Sequence, residues 1–184
     1  MLEVEVKYRI DNANDIRRKL NSLGASLVET VIERDYYFQH PCRDFKATDE
    51  ALRIRLSKNK CTLTYKGPRI SGKAKVREEL SVELANFKSI SAILSRLGFK
   101  PIALVVKKRE IYSYKDFKIS IDEVTDLGTF IEIEYTGQVG QENYNQALEN
   151  IKQLIKELGI SGPCILKSYL ELILEKLAKT DIEL

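Results

Sequence analysis

The chain has 184 residues, 43% of them hydrophobic and 31% charged, with a net charge of +3 at neutral pH. That length supports one well-buried core, and that composition excludes a disordered polar chain. The near-balanced charge speaks against a nucleic-acid coat, and no apolar run nears the ~18 residues that span a bilayer.

Leu2–Ile10 alternates apolar and charged residues, the period of a half-buried strand. The start, Met1-Leu2-Glu3-Val4-Glu5, is acidic where a secretory leader would be basic and then apolar, so a cytoplasmic protein is expected. Asp11 to Gly24 reads as a helix, capped by Asp11 or Asn12, striped by Ile16, Leu20 and Leu23, and ended by Gly24. Val28–Phe38 is a strand, and His40–Glu50 an irregular loop with Pro41, Asp44 and Asp49. Strands follow at Ala51–Leu56, Cys61–Lys66, Lys73–Leu84 and Ile102–Tyr112, with an amphipathic helix at Ser89–Gly98 before the last of them. Phe117–Val124 and Thr129–Thr136 are two more strands, joined by Asp126-Leu127-Gly128. Tyr144–Leu158 and Ser168–Ala178 are helices on either side of Gly162-Pro163. Strands separated by short turns point to an antiparallel α+β fold in a single domain over residues 1–184.

A strand sends alternate side chains to opposite faces. Sorted this way, seven strands have one apolar and one charged face. The charged faces carry Glu3, Glu5, Lys7 and Arg9; Arg53 and Arg55; Thr62, Thr64 and Lys66; Lys73, Lys75, Arg77, Glu79, Ser81 and Glu83; Lys107 and Arg109; Lys118, Ser120 and Asp122; and Glu132 and Glu134. For any one strand, a solvated outer face explains the charges. Taken together they segregate, carboxylates on the first and last strands and cations between. A barrel with its charged faces inward and its apolar faces under helices would bring Glu3, Glu5, Asp122, Glu132 and Glu134 together. Such a cluster repels itself unless a hard cation, Mg²⁺ or Mn²⁺, neutralises it. Lys7, Arg53, Arg55, Lys66, Lys75, Arg77, Lys107 and Arg109 would in turn suit a triphosphate, since Arg grips phosphate oxygens in pairs and Lys serves as a point charge.

Other site chemistries have little to stand on. Cys42, Cys61 and Cys164 are odd in number and form no CxxC pair, and His40 is the single histidine. A disulfide framework, a zinc centre or a histidine-based triad is not expected.

Glu3-Val4-Glu5-Val6-Lys7 matches the ExExK signature of the CYTH superfamily, which includes class IV adenylyl cyclases and thiamine triphosphatases. Later segments resemble the family in the same order: Asp35-Tyr36-Tyr37-Phe38, Ala51-Leu52-Arg53-Ile54-Arg55, Leu63 to Pro68, Lys107 to Tyr112, Ile121 to Val124, Leu127 to Glu134 and Ser168-Tyr169. The resemblance implies a closed eight-stranded antiparallel β-barrel, a triphosphate tunnel, covered outside by helices. It implies Glu3, Glu5 and Glu132 as metal ligands, with Glu134 and Asp122 as further candidates. Lys7, Arg53, Arg55, Lys66, Lys75, Arg77, Lys107 and Arg109 become phosphate contacts, with Asp122, Lys107 and Arg109 nearest the chemistry.

The branch resembled most is the class IV adenylyl cyclase, through Asp35-Tyr36-Tyr37 and the loop at Pro41–Phe45. It would turn ATP into cyclic AMP and pyrophosphate with Mg²⁺ or Mn²⁺. The alternative is a metal-dependent hydrolase of thiamine triphosphate, inorganic triphosphate or another organic triphosphate. A third is a nucleotide or polyphosphate sensor without turnover. The two C-terminal helices would cover the barrel, or form the homodimer contact that relatives of the family suggest.

Overall fold

The computed structural model describes residues 4–68, 78–137 and 144–180. Where apolar and charged residues alternate, the chain forms strands: β1 (Val4–Arg9), β2 (Ser26–Gln39), β3 (Ala51–Ser57), β4 (Lys60–Lys66), β5 (Glu79–Leu84), β6 (Lys100–Tyr114), β7 (Phe117–Val124) and β8 (Gly128–Tyr135). The helices are α1 (Ala13–Ser22), α2 (Phe87–Arg96), α3 (Tyr144–Glu157) and α4 (Tyr169–Thr180).

Two of the helices use the same stop and start signals. Asn12 caps α1 by accepting the Asp15 N–H at 3.1 Å, and Asn86 caps α2 by accepting the Ser89 N–H at 3.1 Å. Each ends on a glycine with positive φ, Gly24 at 81° and Gly98 at 89°, a conformation glycine takes without steric cost. At Gly98 a Cβ would also come within 3.1 Å of the Pro41 ring.

The strands form an eight-stranded sheet in the order β1-β8-β7-β6-β2-β3-β4-β5. The registers of β1 with β8, β7 with β8, β2 with β3, β3 with β4, and β4 with β5 are all antiparallel. The α+β class and the strand count are therefore as expected, whereas closure into a barrel is not seen. β1 and β5 stand at the two ends of an open order, and no pairing joins them among the described residues. The Lys7 carbonyl on β1 instead accepts the Ile165 N–H at 2.7 Å, so a backbone group of this end strand is taken up by the segment before α4. The expected strand Lys73–Leu84 is described from Glu79 onward, and its first half lies outside the described residues.

The described chain falls into two compact units that share strands, with β2 passing from one to the other after Val31 and β6 after Lys107. In the first unit, residues 4–31, 108–137 and 144–166, the apolar faces of β1, β7 and β8 pack against α1 and α3. Val4, Ile119, Ile121, Ile131 and Ile133 meet Ile16 and Leu20 from α1 and Ala147, Ile151 and Leu154 from α3. Those strand positions are one pleat out of phase with the charged residues, so packing the helices commits the opposite face to charge. In the second unit, residues 32–68, 78–107 and 167–180, Phe38, Leu52, Ile54 and Cys61 pack against Leu94 of α2 and Phe45 of the 40–50 loop.

Candidate functional site

The charged face of the first unit is laid out by strand register. Glu5 on β1 lies opposite Glu134 on β8, which lies opposite Lys118 on β7; the next row is Lys7, Glu132 and Ser120; the third is Arg9, Phe130 and Asp122. Burial is deep for charged groups: Lys7 is 2% exposed, Glu132 9% and Asp122 0%. Unpaired, each would be strongly destabilising, so each is paired. The Lys7 Nζ is 3.2 Å from Glu132 Oε1, and Arg109 on β6 joins Glu132 from another side. Arg109 also donates its Nε to Asp122 Oδ1 at 2.6 Å and its Nη2 to Asp122 Oδ2, the two-point grip that guanidinium makes on a carboxylate. Lys118 donates to Glu134 at 2.8 Å.

Glu5, Glu132 and Glu134 suit a hard divalent cation by donor type and by shared face, all oxygen and all on one side of neighbouring strands. Glu5 stands directly across from Glu134, a like-charged cross-strand pair in which Lys118 offsets the Glu134 charge. Among the described residues, however, no group of three acid, histidine or cysteine side chains is assembled to hold a metal. Glu132 and Glu134 are turned toward lysine and arginine instead. Glu3 lies outside the described residues.

In the second unit the charged face belongs to β2, β3, β4 and the first part of β6. Asp35 lies opposite Arg55, and Tyr37 opposite Arg53; Arg55 and Arg53 in turn face Thr62 and Thr64 on β4. Asp35 accepts from Arg55 Nε at 2.6 Å and Nη2 at 2.7 Å, while Arg55 Nη1 is 3.2 Å from Glu33 Oε1. Lys107, 2% exposed, places its Nζ 2.8 Å from Glu33 and 3.3 Å from Asp35, with the Tyr169 ring centroid 5.4 Å away. Arg53 Nη1 stands 3.7 Å from Asp35 Oδ2, and its buried Nε has no hydrogen-bond partner among the described residues. Burial would push the Asp35 carboxyl up. The Arg55 hydrogen bonds and the Lys107 and Arg53 charges prevail and hold it well below the usual carboxylate range. Lys66 pairs with Glu79 at 2.5 Å across β4 and β5, and Thr64 shares a hydrogen bond with Ser81 at 3.0 Å.

Within the first unit, then, the structure brings together Glu5, Lys7, Arg109, Asp122, Glu132 and Glu134, and within the second Arg53, Arg55 and Lys107, while Lys66 is paired with Glu79. Lys75 and Arg77 lie outside the described residues. The expected site residues do not include Glu33 and Asp35, the acids that hold Arg53, Arg55 and Lys107, although Asp35 stands in a segment that resembles the family. Their signal was present, because Glu33, Asp35 and Tyr37 alternate with Arg34, Tyr36 and Phe38. The even-numbered side of β2 mixes arginine with aromatics, so it shows no clean apolar face. The chain thus supplies carboxylates of its own to Arg53, Arg55 and Lys107.

A model of the CYTH domain matches residues 1–169. The chain belongs to the CYTH family. It is 40% identical over 173 residues to a Methanocaldococcus jannaschii protein named "putative adenylate cyclase", covering 94% of this chain and 98% of that protein. It is 27% identical over 134 residues to an adenylate cyclase of Aeromonas hydrophila, covering 71% of this chain and 67% of that one. Among solved structures, a Pyrococcus horikoshii protein superposes with a TM-score of 0.84 at 41% identity, over 95% of this chain and 99% of the other. A Hippeastrum protein described as a "putative adenylyl cyclase" that "reveals a dominant" triphosphatase activity shares the fold, with a TM-score of 0.69 at 21% identity over 95% of this chain and 96% of that one. Among the described residues no helix is long and apolar enough to cross a membrane.

Proposed function

We propose that this CYTH protein converts ATP into cyclic AMP and pyrophosphate with the help of a divalent cation. The observation that carries the reading is the pairing of deeply buried acids and cations on strand faces opposite the helices, where a fold needing only solubility would place solvated charge. Family membership and the names of the two cyclase relatives support the choice of substrate and product.

In this reading Glu5, Glu132 and Glu134 hold Mg²⁺ or Mn²⁺, with Glu3 as a further ligand. A bound divalent cation would supply charge neutralisation for the reacting phosphate and acidify the ribose hydroxyl. Arg53, Arg55 and Lys107, with Lys66, Lys75 and Arg77, bind the triphosphate oxygens. Their charge disperses what accumulates on the leaving pyrophosphate. Arg109, held by Asp122, is the cation beside the acidic set and orients the α-phosphate. The ribose 3′-oxygen forms the new bond to the α-phosphorus, the bond to the β-phosphate oxygen breaks, and the hydroxyl proton passes to water. The barrel closure and tunnel that family resemblance implies belong to the same proposal, as does a homodimer.

A second reading, hydrolysis of a triphosphate, draws on the Hippeastrum protein. Grip on the phosphates is common to both, so product identity separates them. Incubation with ATP and Mg²⁺ or Mn²⁺, followed by phosphorus NMR and chromatography, is expected to give cyclic AMP and pyrophosphate in equal amounts. Orthophosphate without cyclic AMP assigns the chain to the second reading.

A further inference from the structure

We infer that Asp35 is a positioning residue of the polyphosphate site, aligning Arg53, Arg55 and Lys107 before any ligand arrives. The inference rests on the reading that these cations bind phosphate oxygens, and it adds which residue sets their geometry.

Asp35 is 1% exposed, yet it stays a carboxylate because three cations converge on it. They come from two strands: Arg53 and Arg55 from β3, Lys107 from β6. A buried carboxylate with three cationic neighbours acts as an internal stand-in for a phosphate group. It draws flexible side chains into one arrangement and removes part of the ordering cost that a ligand would otherwise meet.

The three cations are not held alike. Arg55 is gripped at Nε and Nη2 by Asp35 and approached at Nη1 by Glu33, so its plane is fixed from two sides. Lys107 is seated between the same two acids, under the Tyr169 ring. Arg53 is different: its Nη1 is 3.7 Å from Asp35, and its buried Nε–H donates to nothing among the described residues. A buried donor without an acceptor is a rare and unfavourable feature that an incoming oxygen would relieve. The geometry thus divides the work. Arg53 offers an open donor to the anion, while Arg55 and Lys107 form the fixed wall that sets its direction.

Positioning and simple electrostatics predict opposite signs for one substitution. Asp35→Asn removes a negative charge from the cationic face. If only net charge mattered, anions would bind more tightly. If Asp35 aligns the cations, anions bind more weakly in spite of the added positive charge.

The test titrates inorganic tripolyphosphate into the full-length wild type, Asp35→Asn and Asp35→Glu by calorimetry, with circular dichroism to establish folding. We expect affinity on the order of tenfold weaker for Asp35→Asn, the scale of losing one well-set charged contact, and partial recovery in Asp35→Glu. In turnover, KM should rise with kcat nearly unchanged, the pattern of lost uniform binding. Should Asp35→Asn fail to fold, Glu33→Gln, which withdraws the second acid from Arg55 and Lys107, carries the same expectation. Affinity equal to or tighter than wild type in the folded variant overturns the inference. Failure of the wild type to bind tripolyphosphate would instead defeat the functional reading beneath it.

Discussion

Lys7 and Glu132 lie opposite each other in the β1–β8 register and meet in an ion pair of 3.2 Å at positions almost closed to solvent. Arg109 contacts the same Glu132. The two ends of this pair are therefore not equivalent. Removing Lys7 leaves Glu132 with Arg109, whereas removing Glu132 takes its carboxylate from both Lys7 and Arg109.

Glu132→Ala should accordingly cost more stability than Lys7→Ala. Breaking a buried pair by deleting one partner costs about 3–5 kcal/mol, and Glu132→Ala should lie near that range while Lys7→Ala falls below it. Urea unfolding of the two variants checks the order. Equal losses would mean that Arg109 gives Glu132 no compensation.

Glu5 lies opposite Glu134 in the β1–β8 register, the place the proposed metal would occupy. Glu5→Gln is expected to abolish most of the stabilisation that Mg²⁺ or Mn²⁺ confers. Thermal melts with and without each ion read the effect. A variant that is unstable without metal yet still responds to it would mark Glu5 as a structural residue.

Asp35 sets a specific pH signature. Its folded-state value is depressed below the ordinary carboxylate value of about 3.9, so its stabilising contribution is fully present above that value. The contribution is lost as pH falls through the depressed folded value. The stability difference between wild type and Asp35→Asn should be constant from neutral pH down to about pH 5 and shrink only in stronger acid. A difference that changes between pH 6 and 8 would point to another titrating group.

Arg17 on α1 ties the helix to the sheet. Its Nε and Nη2 donate to Glu110 at 2.9 Å each, and Nη2 also donates to Glu123 at 2.8 Å. Its side chain is about a quarter exposed, so solvent screens part of the attraction. Arg17→Ala should lower stability by about 1 kcal/mol, read as a shift in urea midpoint, with turnover of the folded protein unchanged.

Which strand faces were legible in the sequence follows from how they pack. β1, β7 and β8 alternate cleanly because α1 and α3 bury one side of them, and there Glu5, Lys7, Asp122, Glu132 and Glu134 could be assigned to one face from period alone. β2 was harder, since Arg34 and Tyr36 interrupt the apolar side opposite Glu33 and Asp35. Pairings across strands were not legible at all. Residue spacing along β6 puts Lys107 and Arg109 on one face, yet Lys107 is held by Glu33 and Asp35 and Arg109 by Asp122 and Glu132. Only register and strand order assign those partners, and a single sequence carries neither. The open strand order escaped for the same reason, because alternation is identical in a closed barrel and an open sheet.

Binding of a polyphosphate through the buried charged residues is the property on which the proposed function depends. Calorimetric titration of tripolyphosphate with Mg²⁺ into wild type and Arg53→Ala, paired with thermal melts, addresses that directly. At a ligand concentration near a hundred times Kd, wild type should gain about 2.7 kcal/mol, a rise in Tm of roughly 5–10 °C, and Arg53→Ala should gain much less. No heat and no shift for the wild type at millimolar ligand would contradict the account.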